Sequence, residues 1–382
     1  MLNQRWDIFC KIVDNFGDIG VCWRLAKQLR TEHSLHISLW IDDFAAAKKI
    51  IPSLHLAKNK QVCDEITLLK WDDTADFSEA AEVVIEAFSC ELSPAYLAAM
   101  AQRQSKWINL EYLSAEPWID DFHAQPSPQA NGLIRHFYFP GFTIKTGGLI
   151  RESNALACHS DENRNLASLI SLDSKAQWND TNSLKISLFC YPDAPVHNLF
   201  TALQANKNKV IVYVPVSGIV PKIADFFGQQ SIEVGQQLTS NNLTVQVLPF
   251  LPQQGYDQLL RDCDLNFVRG EDSWIRAIWA AKPFIWLPYF QEENTHIVKL
   301  NAFLNRFYAE YEQKQVVCEA HEYWAAGHAS QADSLAVWQQ YLNQLKLLQV
   351  HTQLQAVNLA KQPDLASQLV DFCNLKVTVK LL

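Results

Sequence analysis

Two short stretches of this 382-residue chain gather side chains suited to group transfer. The first is Asp14-Asn15-Phe16-Gly17-Asp18-Ile19-Gly20. It follows an apolar run, so its carboxylates fall at a strand end, a suitable place for a general base. Gly17 and Gly20 permit tight backbone geometry and close approach of a ligand. The N–H groups that open the next helix favour a phosphate or a carboxylate. The spacing is neither G-x-G-x-x-G nor a P-loop. An aspartate at position 18 also suits plain helix capping, and the residue types leave both readings open.

The second stretch is Phe267-Val268-Arg269-Gly270-Glu271-Asp272-Ser273-Trp274. An apolar strand runs into a charged tight turn, and a helix is expected to start at Asp272 or Ser273. Two adjacent residues of capping type leave N–H donors for a diphosphate. Arg269 can pair with phosphate or with Glu271. An ordinary capped turn would use the same residues. A third set comprises Phe189 and Tyr191 around Cys190, with Phe250-Leu251-Pro252-Gln253 after a later strand. Such aromatics can stack on a nucleobase whose edge a glutamine bonds, or they can be core.

The elements that must position these residues alternate. Trp6 to Val13, His36 to Ile41, Val83 to Ile85 and Trp107 to Leu110 read as strands. A helix after Gly20 has Val21, Cys22, Leu25, Ala26 and Leu29 on one face and Arg24, Lys27, Gln28 and Arg30 opposite. Ser93-Pro94 reads as a helix start. A second series runs from Ile186–Tyr191 and Lys209–Val214 through Leu243–Phe250 and Leu265–Val268 to Phe284–Pro288, with helices at Pro195–Gln204, Tyr256–Cys263 and Trp274–Ala281. From Glu292 the pattern turns helical, and Pro363–Phe372 is a last helix. This alternation means α/β units with parallel sheets. The expected domains are residues 1–182 and 183–354, with 355–382 packing back on the first. The polar stretch Asp173 to Ser183 is the linker candidate. Ligands of such sheets bind at strand carboxyl ends, where both charged stretches lie.

Composition narrows the classes. Hydrophobic residues make up 48% and charged residues 19%, so a packed core is expected and disorder is excluded as the main state. The formal net charge of -9 argues against a general polyanion binder. No apolar run approaches the roughly 18–20 residues needed to span a bilayer, and the start lacks a signal-peptide core. Nine cysteines are scattered without a C-x-x-C pair, as expected of reduced, mostly buried thiols in a cytoplasmic protein. The 11 histidines form no H-E-x-x-H and no metal cluster; His296 and His351 read as helix-surface residues. Trp274, Trp279 and Trp286 read as core.

Trp6-Asp7-Ile8-Phe9-Cys10, Asp14 through Leu25 and Phe267 through Ser273 together resemble the EarP family, bacterial protein-arginine rhamnosyltransferases that modify translation elongation factor P. The resemblance runs over nearly the whole chain. It implies a GT-B glycosyltransferase: two Rossmann-like domains facing a central cleft. It further implies dTDP-β-L-rhamnose as donor, an arginine of elongation factor P as acceptor, inversion at the sugar, and neither metal nor cofactor. The modified factor supports translation of polyproline stretches. Asp18, Glu271 and Asp14 would be the catalytic carboxylates. Asn15, Phe16, Gly17, Phe189, Tyr191, Phe250, Gln253, Arg269, Gly270, Asp272 and Ser273 would bind substrate. No nucleic acid or membrane partner is implied. Arg24, Lys27 and Arg30 either steer an acidic acceptor or form a solvated helix face. Two other readings compete: a GT-B transferase of a UDP sugar, and a non-catalytic translation-factor-binding protein.

Overall fold

The computed structural model describes residues 4–14, 16–156, 182–326 and 331–374. Asn15 and most of the linker candidate (173–181) lie outside them. The chain divides into two compact units, Met1–Ala155 with Leu359–Leu382, and Leu156–Asn358.

The first unit is built on an eight-stranded sheet ordered β3-β4-β2-β1-β5-β6-β8-β7. Its strands are β1 (Arg5–Cys10), β2 (His36–Ile41), β3 (Lys60–Cys63), β4 (Ile66–Lys70), β5 (Val83–Ala87), β6 (Lys106–Leu110), β7 (Gln125–Pro128) and β8 (Ile134–Tyr138). β4, β2, β1, β5, β6 and β8 pair in parallel, while β3 and β7 close the edges antiparallel. The central strands are buried on both faces, as helix-covered parallel strands must be, with Asp7 and Glu86 the buried charged exceptions to an apolar run. Chain order reverses at β1, which lies between β2 and β5. Such a switch point opens a crevice at the carboxyl ends of its strands.

The helix Gly17–His33 packs against this sheet. It begins earlier than expected: Gly17 N–H donates to the Asp14 carbonyl at 2.7 Å, and Gly20 N–H to the Phe16 carbonyl at 2.9 Å. Residues 17–20 are thus a helical first turn and not loop. Its supposed polar face is also partly buried. Arg24 is 3% exposed and pairs with Glu152 at 3.4 Å, and Gln28 donates to Asp364 and to the Arg151 carbonyl. The chain returning through Leu365–Asn374 covers that face: Leu365 N–H bonds the Leu149 carbonyl at 2.9 Å. Arg30 pairs with Glu65, and Lys27 lies over Trp23. A basic patch of Arg24, Lys27 and Arg30 therefore does not form.

The second unit carries a six-stranded sheet ordered β11-β12-β10-β9-β13-β14. Its strands are β9 (Leu184–Leu188), β10 (Val210–Pro215), β11 (Gln237–Ser240), β12 (Leu243–Leu248), β13 (Leu265–Arg269) and β14 (Phe284–Leu287). All but β11 are parallel. Here the order reverses at β9, beside β13. The helices between Thr295 and Asn358 belong to this unit, and Trp274, Trp279 and Trp286 are core. His296 and His351 are buried too, contrary to the surface reading. His296 Nδ1 meets the Gln291 carbonyl at 3.1 Å, and His351 Nε2 meets that of Phe307 at 2.8 Å while its ring stacks on Tyr308. Among the described residues, eight cysteines are free and no helix is long and apolar enough to cross a membrane.

Candidate active site

In the first unit the site grows from the end of β1. Asp18, the second residue of its helix, is 2% exposed. The helix has Phe16 as N-cap and no side-chain cap bond, so Asp18 is not the cap. Its Oδ2 instead turns back on the preceding loop, accepting the Val13 N–H at 2.7 Å and the Asp14 N–H at 2.8 Å. Oδ1 accepts the Tyr112 hydroxyl at 3.1 Å. The carboxylate thereby orders the loop that carries Asp14 and is itself fixed. Gly17 leaves room for the Asp14 side chain, since a Cβ there would lie 2.9 Å from Asp14 Oδ2. Phe16 is half-buried, with Lys49 Nζ 5.2 Å from its ring centre. Beyond β2, Asp42 accepts the Ile12 and Asp43 N–H groups, and burial pushes its carboxyl up. The end of this sheet is thus acidic.

Tyr112 and its surroundings escape sequence reasoning. The loop after β5 holds Phe88, Ser89 and Glu91 at φ of 58°, 53° and 61°, left-handed geometry without a glycine to signal it. The Phe88 ring stacks on Tyr112 with centroids 4.2 Å apart. Ser89 and Asn109 both bond Glu111, whose carboxyl is pushed up by burial.

In the second unit β13 ends at Arg269, followed by Gly270 at φ 60°, a left-handed position that favours glycine. The helix Asp272–Ala280 has Glu271 as N-cap with no side-chain cap bond. Ser273 is turned away from capping: its Oγ accepts the Arg269 N–H at 3.0 Å and donates to the Arg269 carbonyl. Asp272 is the first helical residue and accepts from Gln253 Nε2 at 3.3 Å. Gly270 is anchored on both sides, its N–H on the Leu287 carbonyl and its own carbonyl on Trp286 Nε1.

Arg269 is the centre of this group. Its guanidinium lies 4.5 Å from the Phe189 ring centre and 4.6 Å from that of Tyr191. Both rings are half-buried, as is Phe250, so none of the three is a core aromatic. Phe189 meets Tyr256 edge-on at 5.5 Å, and Tyr191 meets Tyr289 at 5.9 Å. The end of β9 thus supplies an aromatic clasp that fixes a cation at the end of β13, at the switch point of its sheet. The structure brings together Phe189, Tyr191, Gln253 and Arg269–Ser273 in the second unit, and Asp14, Phe16, Gly17 and Asp18 in the first.

The family model described as Elongation-Factor P (EF-P) rhamnosyltransferase EarP matches residues 6–374. The chain belongs to the EarP family. Among EarP relatives, a protein-arginine rhamnosyltransferase of Pseudomonas putida is 40% identical over 374 residues, 97% of this chain and 99% of that one. A solved structure described as the basis for EarP-mediated arginine glycosylation of translation elongation factor EF-P matches with TM-score 0.66 and 31% identity. It covers 97% of this chain and 98% of its own. MurG of Acinetobacter baumannii matches with TM-score 0.54 at 12% identity over 98% and 99% of the two chains, which shows the fold alone. That fold is GT-B, and as an EarP-family chain this protein is a glycosyltransferase.

Proposed function

We propose that this chain transfers L-rhamnose from dTDP-β-L-rhamnose to one arginine side chain of elongation factor P, with inversion and without a metal, in the cytoplasm where that factor works. The observations that carry the reading are an ordered acidic strand end in one unit and a clasped arginine beside a helix start without a side-chain cap in the other. The former suits a cationic acceptor and the latter an anionic donor.

The acceptor guanidinium is charged and delocalised, with a pKa above ~12. A carboxylate does not deprotonate it in the ground state. Asp18 instead holds one nitrogen by a charge-assisted bond, polarises it, and accepts its proton late, as the C–N bond forms and the C–O bond to the diphosphate breaks. Asp14 makes a second contact to the guanidinium, and Asn15, Phe16 and Gly17 shape the approach. Attack from the face opposite the leaving group turns the β linkage into an α-rhamnosyl N-glycoside.

The departing diphosphate gathers negative charge. Arg269, held in place by Phe189 and Tyr191, and the N–H groups at the start of the Asp272–Ala280 helix stabilise it. Gly270 lets the backbone approach closely, and Ser273 fixes the Arg269 peptide. Phe250 and Gln253 lie by the nucleobase, and Asp272 is held by Gln253. Glu271 orients a sugar hydroxyl, since its own charge is unfavourable beside a diphosphate.

The test is incubation of the purified chain with dTDP-β-L-rhamnose and elongation factor P, with and without EDTA, followed by mass spectrometry and anomeric NMR. The reading predicts one deoxyhexosyl group in α linkage on a single arginine, unaffected by EDTA. No mass gain, or activity restored only by added metal, would contradict it.

A further inference from the structure

We propose that Tyr112 is a positioning residue for the transfer, holding the oxygen of Asp18 that faces the acceptor, and that Phe88 is its brace. This rests on the reading of Asp18 as the carboxylate that receives the guanidinium.

The two oxygens of Asp18 are not equivalent. Oδ2 takes two backbone N–H groups at 2.7 and 2.8 Å and is committed to the loop. Oδ1 takes the Tyr112 hydroxyl at the longer distance of 3.1 Å. An ionised carboxylate only accepts, so the hydroxyl donates. One donor leaves an oxygen room for a second, so Oδ1 is the atom able to meet a guanidinium nitrogen. The Tyr112 bond decides where that atom points.

Tyr112 is in turn fixed by its ring. Phe88 stacks on it at 4.2 Å with the planes only 11° apart. Phe88 can do so because its backbone is left-handed, as are those of Ser89 and Glu91. Such geometry is disfavoured for a residue with a Cβ and persists where the surroundings over-determine it. They do so here. Phe88 N–H is bonded to the Leu110 carbonyl at 2.7 Å, and Glu91 N–H to Glu86 Oε1 at 3.0 Å. Glu86, 1% exposed, is held through Oε2 by Trp107 Nε1 at 2.9 Å. Bonds to Leu110 and Glu86 thus hold Phe88 and Glu91 in a disfavoured conformation, and the visible result is a ring pressed flat on Tyr112. Both rings are half-buried, so the stack is not required to fill a core.

The experiment compares Tyr112→Phe, Phe88→Ala, Phe88→Tyr and Asp18→Asn in the full chain, with elongation factor P and dTDP-β-L-rhamnose. Tyr112→Phe keeps the stack and removes only the hydroxyl. Its kcat is expected to fall about 10- to 100-fold, the range for a hydrogen bond to a charged group. The acceptor KM and dTDP affinity should move less than about threefold, because the bond positions and does not bind. Phe88→Ala should lower kcat in the same way, and Phe88→Tyr, which retains a stacking ring, should recover most of it. Tyr112→Phe with more than half the wild-type kcat, or a change confined to KM, would overturn the inference. If Asp18→Asn is inactive while Tyr112→Phe is normal, only the role of Tyr112 is lost. If Asp18→Asn is itself active, the reading of Asp18 fails with it.

Discussion

The turns after β1 and after β13 occupy equivalent places, each at the carboxyl end of a central parallel strand beside the switch point of its sheet. They solve opposite electrostatic problems. After β1, an acid in the first helical turn folds back to bind the loop's own N–H groups, those of Val13 and Asp14, and the charge there is a carboxylate. After β13, the helix start has no side-chain cap and the charge offered is a guanidinium clasped between two rings. Both helices start without a side-chain cap, so the two turns differ in the charge they present, a carboxylate bonded to its own loop in one and a guanidinium in the other. Position in the sheet alone does not tell which substrate a turn serves.

Asp18→Asn should break the contrast most severely. Loss of a general base costs about 10²–10⁴-fold in rate, and steady-state transfer assays should show this with the fold intact by circular dichroism. Retention of more than a tenth of the wild-type rate would remove Asp18 from the chemistry.

The next effect concerns how the first unit holds its substrate. Positioning a guanidinium at Asp18 draws on contacts remote from the reacting nitrogen, which a short peptide lacks. Folded elongation factor P should exceed a peptide spanning its target loop by at least about tenfold in kcat/KM. Equal values would mean that the acidic turn reads local sequence only.

Smaller changes sharpen the picture of the second turn. Tyr191→Ala unclasps Arg269, and Gln253→Ala releases Asp272. Each should weaken dTDP binding, by roughly 0.5–2 kcal/mol where the cation–π clasp is lost, with Tyr191→Ala the larger. Calorimetry showing unchanged affinity in both would misplace the nucleotide.

The smallest effect separates fold from site. Each unit carries a histidine that burial holds neutral: His123 and His321 are both pushed down to about 4. Above about 6.5 neither state binds a proton there. As pH falls from about 6.5 towards 4 the unfolded chain gains protons that the folded chain refuses, so stability is lost on the acid side. The melting temperature should fall between pH 7 and pH 5, and His321→Gln should flatten that fall. An equally steep fall in the variant would assign the acid limb elsewhere.

What the sequence showed depended on how local the signal was. β2 is found at the residues expected, His36–Ile41, and Ser93 caps its helix as its type predicts, through Tyr96 N–H. These rest on short-range chemistry. The edge strands β3 and β7 were not read, because short edges such as Gln125–Pro128, with two prolines, lack β-strand patterning and are recruited by their neighbours. Arg24 and Gln28 look like a solvated face until Glu152 pairs with the one and Asp364, more than 300 residues later, bonds the other, tertiary events with no local trace. Within the site, Asp18 and the Arg269 turn were legible through charge beside glycine. Phe88 was not, since its left-handed loop carries no glycine, nor was Tyr112, which that loop meets only in the folded chain.

The opposed characters of the two turns are tested most directly by titrating dTDP into wild type, Arg269→Ala and Asp18→Asn. The account predicts that Arg269→Ala weakens binding about 10- to 100-fold through the lost charge-assisted contact, while Asp18→Asn binds as wild type does. Undiminished binding by Arg269→Ala, with weakened binding by Asp18→Asn, would reverse the assignment and contradict it.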